Sequence, residues 1–456
     1  MRLNLYHSGR TRVKNCVLVR GNCRSAWRYF KPRGSACRGS FAGKLKVPCK
    51  HYQFERSSNT IPVGVFAYKT TTFIWRPPVT TCPFANLIDP ETYVNGMPYD
   101  ELKRIRDDGP VHYMEDPVNG VPYWLVTGRN EIDFVSKNPK LFSSEMRSAL
   151  VNEWSEEDMA SIQRNMTINM DPPRHQKNRR IVRNSFTPSK VDSYADKFRA
   201  HAKRIVDAVA QRGECEFVEE VAAELPLLAI LELCGVPGED RKDFFHWTNT
   251  MMFADDPDMS ISEEEMQMAS LNIIQYAMKL AAEHKDNPKD NVIGALLDGS
   301  EGDEGLTEDE FCWFFLMLIA AGNESTRTVT SQAMRLLIEN PDQLQYLVEN
   351  PDKIPGACEE MLRYHTAFIV MRRTVVDDIE LAGKQLKKGD KLVMHYHTVN
   401  HDESIFGADA MTFDVRRAER MPDLYKEHRS FGIGQHFCLG SHLARLELLI
   451  IMQELI

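Results

Sequence analysis

The sequence predicts a mainly α-helical fold with a small β component. Three observations carry this. Apolar residues recur at helical spacing over most of the chain after residue 82. Strand-like patterns are confined to 111–126 and 375–396. There is no internal repeat and no low-complexity tract. The chain has 456 residues, 43% of them hydrophobic, so it can bury a large core.

The elements follow in order. "MPYDELKRIRDDG" reads as a short amphipathic helix ending at Gly109. "VHYMEDPVNGVPYWLVTG" reads as a hairpin turning at Asp116-Pro117-Val118-Asn119-Gly120. "DSYADKFRAHAKRIVDAVAQRG" (192–213) is a helix stopped by Gly213. The longest helix starts at Thr307, which forms a capping box with Glu310, and ends at Asn340-Pro341. That is about 32 residues, or ~48 Å, enough to cross the molecule. Its middle holds Gly322, Asn323 and Ser325, poor helix formers that cost up to ~1 kcal/mol each. Close packing against another helix explains them, and so does a ligand pressing on a locally opened backbone. Both readings stand at this point. Strand signals return in "VVDDIELAGKQLKKGDKLVMHY" (375–396).

Charge is unevenly placed. The formal net charge is -9, yet residues 1–76 contain 16 Lys and Arg against one acid, Glu55. The remaining residues therefore carry 40 bases and 64 acids. Cys16, Cys23, Cys37, Cys49 and Cys82 also fall in or next to this head. Residues 1–80 are expected to be a basic, Cys-rich extension outside the fold, and 81–456 the folded domain. The head reads as a transit peptide, as a nucleic-acid or membrane arm, or as upstream sequence translated from a wrong start. The last is favoured, because apolar periodicity is weak and turn formers are scattered. Its cysteines lack paired zinc spacing. No secretory signal is evident, and the longest apolar run, "FCWFFLMLIAAG" (311–322), falls short of the ~20 residues that span a bilayer. A cytoplasmic protein with no membrane span follows.

The chemistry centres on "FGIGQHFCLG" (431–440). One cysteine, Cys438, sits among glycines with no second metal-ligand partner at zinc spacing. Glycines let a loop pass close under a flat group. A single thiolate suits a haem iron, whose in-plane ligands come from the porphyrin. The helix that starts near Gly440 adds its positive end to stabilise the anion, and Phe431 is placed to cover the sulfur side of the ring. A buried structural cysteine is the competing reading and the commoner fate of a free thiol.

The stretch "FGIGQHFCLGSHLARLE" resembles the haem-binding signature of the cytochrome P450 superfamily. Phe431, Gly432, Gly434, His436, Cys438, Gly440 and Ala444 all fall on it. "EMLR" supplies the Glu-x-x-Arg motif as Glu360 and Arg363; "AAGNEST" supplies an acid–alcohol pair, Glu324 and Ser325; "DPPRHQKNR" supplies Asp171, His175 and Arg179. The order and spacing agree over roughly 82–456. The resemblance implies the cytochrome P450 fold and a haem-thiolate monooxygenase, with haem b (iron protoporphyrin IX) held through Cys438. Arg179, Arg373 and His436 match the family's propionate contacts, with His175 as a fourth; paired Arg donors suit two buried carboxylates. Ala321 lies one turn before Ser325, against the ring. Glu360 and Arg363 join Arg417 in a structural triad.

The resemblance further assigns Glu324 to proton relay and Ser325 to holding the ordered water. The family usually has Thr where Ser325 stands, so the stiffening methyl is missing; Thr326 points ~100° away round the helix. Apolar pocket candidates are Phe314, Phe315, Met317, Leu318 and Ala321, with 148–170 as a mobile lid. "GVPYW", "LFSSE" and "FHWTN" are similar to stretches of bacterial enzymes that hydroxylate sterol side chains and terpenoid lipids. Partners implied are a small hydrophobic substrate, O2 and a separate ferredoxin-type donor fed by NAD(P)H, with no nucleic acid and a monomeric chain. Lys177, Arg180, Arg183, Arg429 and Arg445 are expected to form the basic docking face for that donor. Alternatives are a peroxide-driven peroxygenase, against which the acid at Glu324 argues, and a non-catalytic haem-thiolate sensor. The family pattern normally continues past the helix after Cys438 with a β-hairpin, so the chain is expected to lack its C-terminal end.

Overall fold

The strand patterns at 111–126 and 375–396 become part of one five-stranded sheet: β1 (Val111–Met114), β2 (Tyr123–Val126), β3 (Phe142–Ser143), β4 (Val370–Val375) and β5 (Lys391–His395). The computed structural model describes residues 2–4, 84–116, 120–252, 259–289, 291–299 and 304–456. The sheet order is β1-β2-β5-β4-β3. The hairpin pair β1 and β2 is antiparallel, β2 runs parallel to β5, and β4 is antiparallel to both β5 and β3. The centre of the hairpin turn, 117–119, lies outside the described residues. So does the expectation for residues 1–80, except the strand Arg2–Asn4, which pairs in parallel with Glu214–Glu216.

Within 375–396, Ile379–Leu381 and Lys384–Leu386 pair only with each other among the described residues, as a separate antiparallel hairpin. Helices make up most of the other described residues. Those that position the site are α1 (Arg129–Lys137), α2 (Arg174–Arg183), α3 (Ala195–Ala210), α4 (Glu224–Cys234), α5 (Glu308–Glu339), α6 (Ile354–Tyr364) and α7 (Ser441–Leu455). The first helix, Tyr99–Asp108, ends at Gly109 as the sequence predicts.

The long helix α5 opens on the expected capping box. Thr307 Oγ1 accepts from the Glu310 N–H at 3.3 Å, and the Glu310 carboxylate accepts from the Thr307 N–H at 3.1 Å. Two orphan donors are satisfied reciprocally. The helix buries Phe311, Phe314, Phe315, Leu316 and Ile319 in the largest apolar cluster. Each such side chain contributes about 1.5–3 kcal/mol.

The helix is continuous from Glu308 to Glu339. A Cβ on Gly322 would stand 3.4 Å from Ile230 Cδ1, on α4. That is ordinary van der Waals contact, so helix–helix packing reaches Gly322 without itself requiring a glycine.

Candidate functional site

Cys438 lies in the loop between Gly434–His436 and α7. Its N–H donates to the Phe431 carbonyl at 2.9 Å, which closes the loop back on itself. Gly434 is required for this path. It has φ +76°, and a Cβ there would stand 2.4 Å from the Ser136 carbonyl oxygen at the end of α1. The thiol is half-buried. Burial pushes its pKa up, while the Gly440 N–H and the cations Arg179 and Arg445 work against that. A soft thiolate ligand needs donors and cations of this kind.

Four basic side chains converge beside this loop. The Arg179 guanidinium, on α2, donates to the Phe437 carbonyl at 2.7 Å. The His175 and His436 rings lie 4.0 Å apart, centroid to centroid. Burial, with Arg179 and Arg373 alongside, holds His175 at about 4. Burial, with Arg373, His175 and Arg179, holds His436 at about 2. Arg373 is 5% exposed and donates to the Arg372 carbonyl at 2.6 Å. Among the described residues no carboxylate lies within ion-pair distance of Arg179 or Arg373, and the buried Nδ1 of His175 has no hydrogen-bond partner. Arg373 is a buried cation, and buried cations are normally paired. Two arginines beside two neutral imidazoles offer donors to an anionic group, and the two propionates of haem fit them. Asp171 fastens the cluster from outside: its carboxylate accepts from the Ser144 N–H at 2.9 Å and from Ser143 Oγ.

The middle of α5 supplies a third wall. Ala321 is exposed although the helix is otherwise buried on every turn around it, and Met317, Glu324, Ser325 and Thr328 are half-buried. These positions share one helical face. The Ser325 hydroxyl donates to the Ala321 carbonyl at 2.9 Å. Glu324 is ion-paired with Arg327 and accepts from Thr328 Oγ1 at 3.3 Å. Thr326 is buried, on the side away from this face.

The cytochrome P450 family profile matches residues 241–456. The steroid C26-monooxygenase of Mycolicibacterium smegmatis is 34% identical over 379 residues, covering 81% of this chain and 86% of that protein. The chain belongs to the cytochrome P450 family. A methyl-branched lipid omega-hydroxylase of Mycobacterium tuberculosis is 34% identical over 343 residues, 74% of this chain and 78% of that one. The fold matches the structure of Mycobacterium marinum cytochrome P450 CYP268A2 in complex with pseudoionone, with TM-score 0.72, 30% identity, and 83% and 93% of the two chains covered. The protein is thus a cytochrome P450 monooxygenase, an oxidoreductase whose family implies a haem-thiolate cofactor. Among the described residues no helix is long and apolar enough to cross a membrane.

Other predicted residues find less expected places in this P450. Phe314 and Phe315 are 1% and 0% exposed, and Leu318 is also buried. Phe315 packs edge-on to Phe244, 6.2 Å between centroids. These three are core, because α5 is enclosed on more than one face. Met317 and Ala321 remain on the open face. The expected basic docking face also shrinks. Arg429 is 5% exposed and bonded to Asp133 at 2.8 and 3.0 Å. Arg445 is bonded to Glu359 at 2.7 and 3.1 Å. Lys177, Arg180 and Arg183 stay half-exposed or exposed on α2. The segment 148–170 is a short helix, Glu156–Ser161, followed by turns. Buried Asn169 ties it down: its amide oxygen accepts from the Ala149 N–H at 2.8 Å, and its NH2 donates to Gln163.

Sequence reasoning missed Glu359 and His428. His428 Nε2 donates to Glu359 at 2.9 Å, and its Nδ1 accepts from the Ser430 N–H at 3.3 Å. The only signal was the doubled acid at 359–360, whose second member the motif absorbed.

Proposed function

We propose that Cys438 is the iron ligand, that Arg179, Arg373, His175 and His436 hold the haem propionates, and that Phe431, Gly432, Gly440 and Ala321 line the ring. The observation that carries this is the pairing of a lone thiol with two arginines, Arg373 buried and Arg179 half-buried, neither within ion-pair distance of a carboxylate among the described residues, and two neutral histidines on one side of the same loop. Bound haem supplies oxygen activation and insertion of one oxygen atom into a C–H bond. The chain's own residues do the rest. Met317 and Ala321 offer an apolar surface that excludes water from the substrate. Glu324 and Ser325 stand where a proton can be passed along the exposed face of α5. Arg327 must release Glu324 for that carboxylate to turn inward.

The substrate proposed is a terminal methyl on a branched aliphatic chain, carried on a steroid or a related lipid. The support is that relatives named for both chemistries cover most of this chain. Electrons come from a ferredoxin-type protein reduced by NAD(P)H, docking on the α2 side near Lys177, Arg180 and Arg183.

The test is a reduced, CO-bound absorption spectrum of the haem-loaded chain, then product analysis with a ferredoxin, its reductase and NAD(P)H. A steroid bearing its C26 methyl is compared with a methyl-branched fatty acid. A thiolate-type spectrum and terminal hydroxylation are expected. A thiolate-type spectrum without terminal hydroxylation of either compound rejects the substrate assignment alone.

A further inference from the structure

Glu359 precedes the motif acid Glu360 but has different partners. Its carboxylate takes both bonds from Arg445, at 2.7 and 3.1 Å, and a third from His428 at 2.9 Å. Burial alone would raise the Glu359 carboxyl; the bonds from His428 and Arg445 outweigh it and hold the group below its ordinary range. His428 is itself kept neutral by burial, and its two hydrogen bonds fix the Nε2–H tautomer. The cluster is therefore one negative charge, one positive charge and a dipole.

Arg445 reaches further. Its guanidinium carbon lies 4.4 Å from the centre of the Phe431 ring. Phe431 is the residue whose carbonyl accepts the Cys438 N–H at 2.9 Å. A continuous chain of contacts thus runs from Glu359 through Arg445 and Phe431 to Cys438. The Glu359 and Arg445 side chains are only 17% and 22% exposed, so solvent screens them weakly.

We propose that Glu359 and Arg445 form a charge-balancing pair for the Cys438 thiolate, in which Arg445 is a positioning residue that favours reduced haem and Glu359 offsets it. A fixed positive charge near the thiolate stabilises the extra electron of the reduced state; a fixed negative charge opposes it. This assigns Arg445 to the site rather than to partner docking. It rests on Cys438 being the haem ligand.

The test is a spectroelectrochemical titration of the haem-loaded full chain, with the CO-bound spectrum recorded for each protein. Glu359→Gln keeps the shape and leaves Arg445 uncompensated. The equilibrium between ferric and ferrous haem is expected to move about tenfold toward ferrous, ~59 mV for one electron. Arg445→Gln is expected to move it by a similar factor toward ferric. The double variant returns close to the starting value, because both charges are gone. A purely structural pair would move both single variants in the same direction, and that result, or no movement in either, overturns the proposal.

Glu359→Asp and Arg445→Lys keep the charges and are expected to stay near the parent potential. A shift in these as large as in the Gln variants also counts against it, as does loss of haem from all four. A parent chain without a thiolate-type CO spectrum removes the ligand assignment itself; a thiolate-type spectrum with unsplit potentials removes only the charge-balancing pair.

Discussion

Arg363 clasps Glu360 through two hydrogen bonds, 2.8 and 2.7 Å, with both side chains fully buried on α6. Arg417 closes on the same carboxylate at 3.1 and 3.2 Å. Arg363 also donates to the carbonyls of Asn400 at 2.6 Å, Ala410 at 2.8 Å and Thr412 at 3.3 Å. The guanidinium fork thus ties α6 to the segment 400–412, which holds the short helix Glu403–Phe406 and leads toward the Cys438 loop.

Arg363→Met should therefore cost about 3–5 kcal/mol of unfolding free energy, since it strands a buried carboxylate and several carbonyls. Arg363→Lys should recover little, because three donors on a flexible stem cannot replace five in a plane. Urea unfolding of the haem-loaded chain measures both. A loss below about 1 kcal/mol in either would mean that Arg417 alone satisfies Glu360.

Gly434→Ala should be poorly tolerated. The residue has φ +76°, and its new Cβ would press on the backbone of Ser136 and Lys137. Backbone cannot swing aside as a side-chain tip can, and the strain alone is of order 1–3 kcal/mol. The expected result is a destabilised chain with reduced haem content, read by absorbance at equal protein concentration. Gly238→Ala is the control: that glycine is exposed and a Cβ there meets nothing within 4 Å. Equal haem content in the two variants would show that the Cys438 loop does not depend on this approach.

These cases show what the sequence exposes and what it hides. The capping box at Thr307, the stop at Gly109, the hairpin and the Cys438 loop are local, so short-range chemistry reveals them. Long-range pairing is not local. Arg429 meets Asp133 across 296 positions, and Arg445 meets Glu359 across 86. From sequence both arginines look like surface charge. The pocket residues failed differently. Helical periodicity shows that α5 has an apolar face, but several neighbours enclose the helix. Only the tertiary structure separates Met317 on the open face from Phe315 in the core.

Acid sensitivity follows from buried histidines on and beside the sheet. His395 is fully buried, and burial lowers its pKa to about 3. Its Nδ1 accepts from the Thr398 N–H at 3.1 Å, so the ring must stay neutral there. The unfolded chain titrates this group near ~6.5, and between that value and about 3 the unfolded state holds the extra proton. Stability is therefore intact above the unfolded value and falls with falling pH, by about 1.4 kcal/mol per pH unit for one proton. His395→Asn keeps an acceptor for Thr398 and removes the titration. Urea unfolding between pH 7 and 5 should show a shallower pH slope for the variant, by about 0.7 proton on average and approaching one proton near pH 5. An unchanged slope would mean that His395 takes up no proton on unfolding.

Ser325 offers the most direct test of the proton path. Its hydroxyl donates to the Ala321 carbonyl at 2.9 Å, a back-bond to the preceding turn. In that state the hydroxyl oxygen can still accept from a water on the open face, while its own proton is held by the helix. Serine has other rotamers available, and each one moves the oxygen. Threonine restricts them, because its methyl competes for the same space. Ser325→Thr should then raise the product formed per reductant consumed, by at most about 2–5-fold, since one rotamer bias is worth ~0.5–1 kcal/mol. Ser325→Ala should lower that ratio and raise hydrogen peroxide release, because reductant is still consumed while proton delivery beside the haem loses its anchor. Product, reductant and peroxide are measured together on one preparation. If neither variant changes the ratio, Ser325 does not hold the water. Thr328, on the same face and bonded to Glu324 at 3.3 Å, becomes the next residue to replace; Thr326 does not, because the helix turns it into the core.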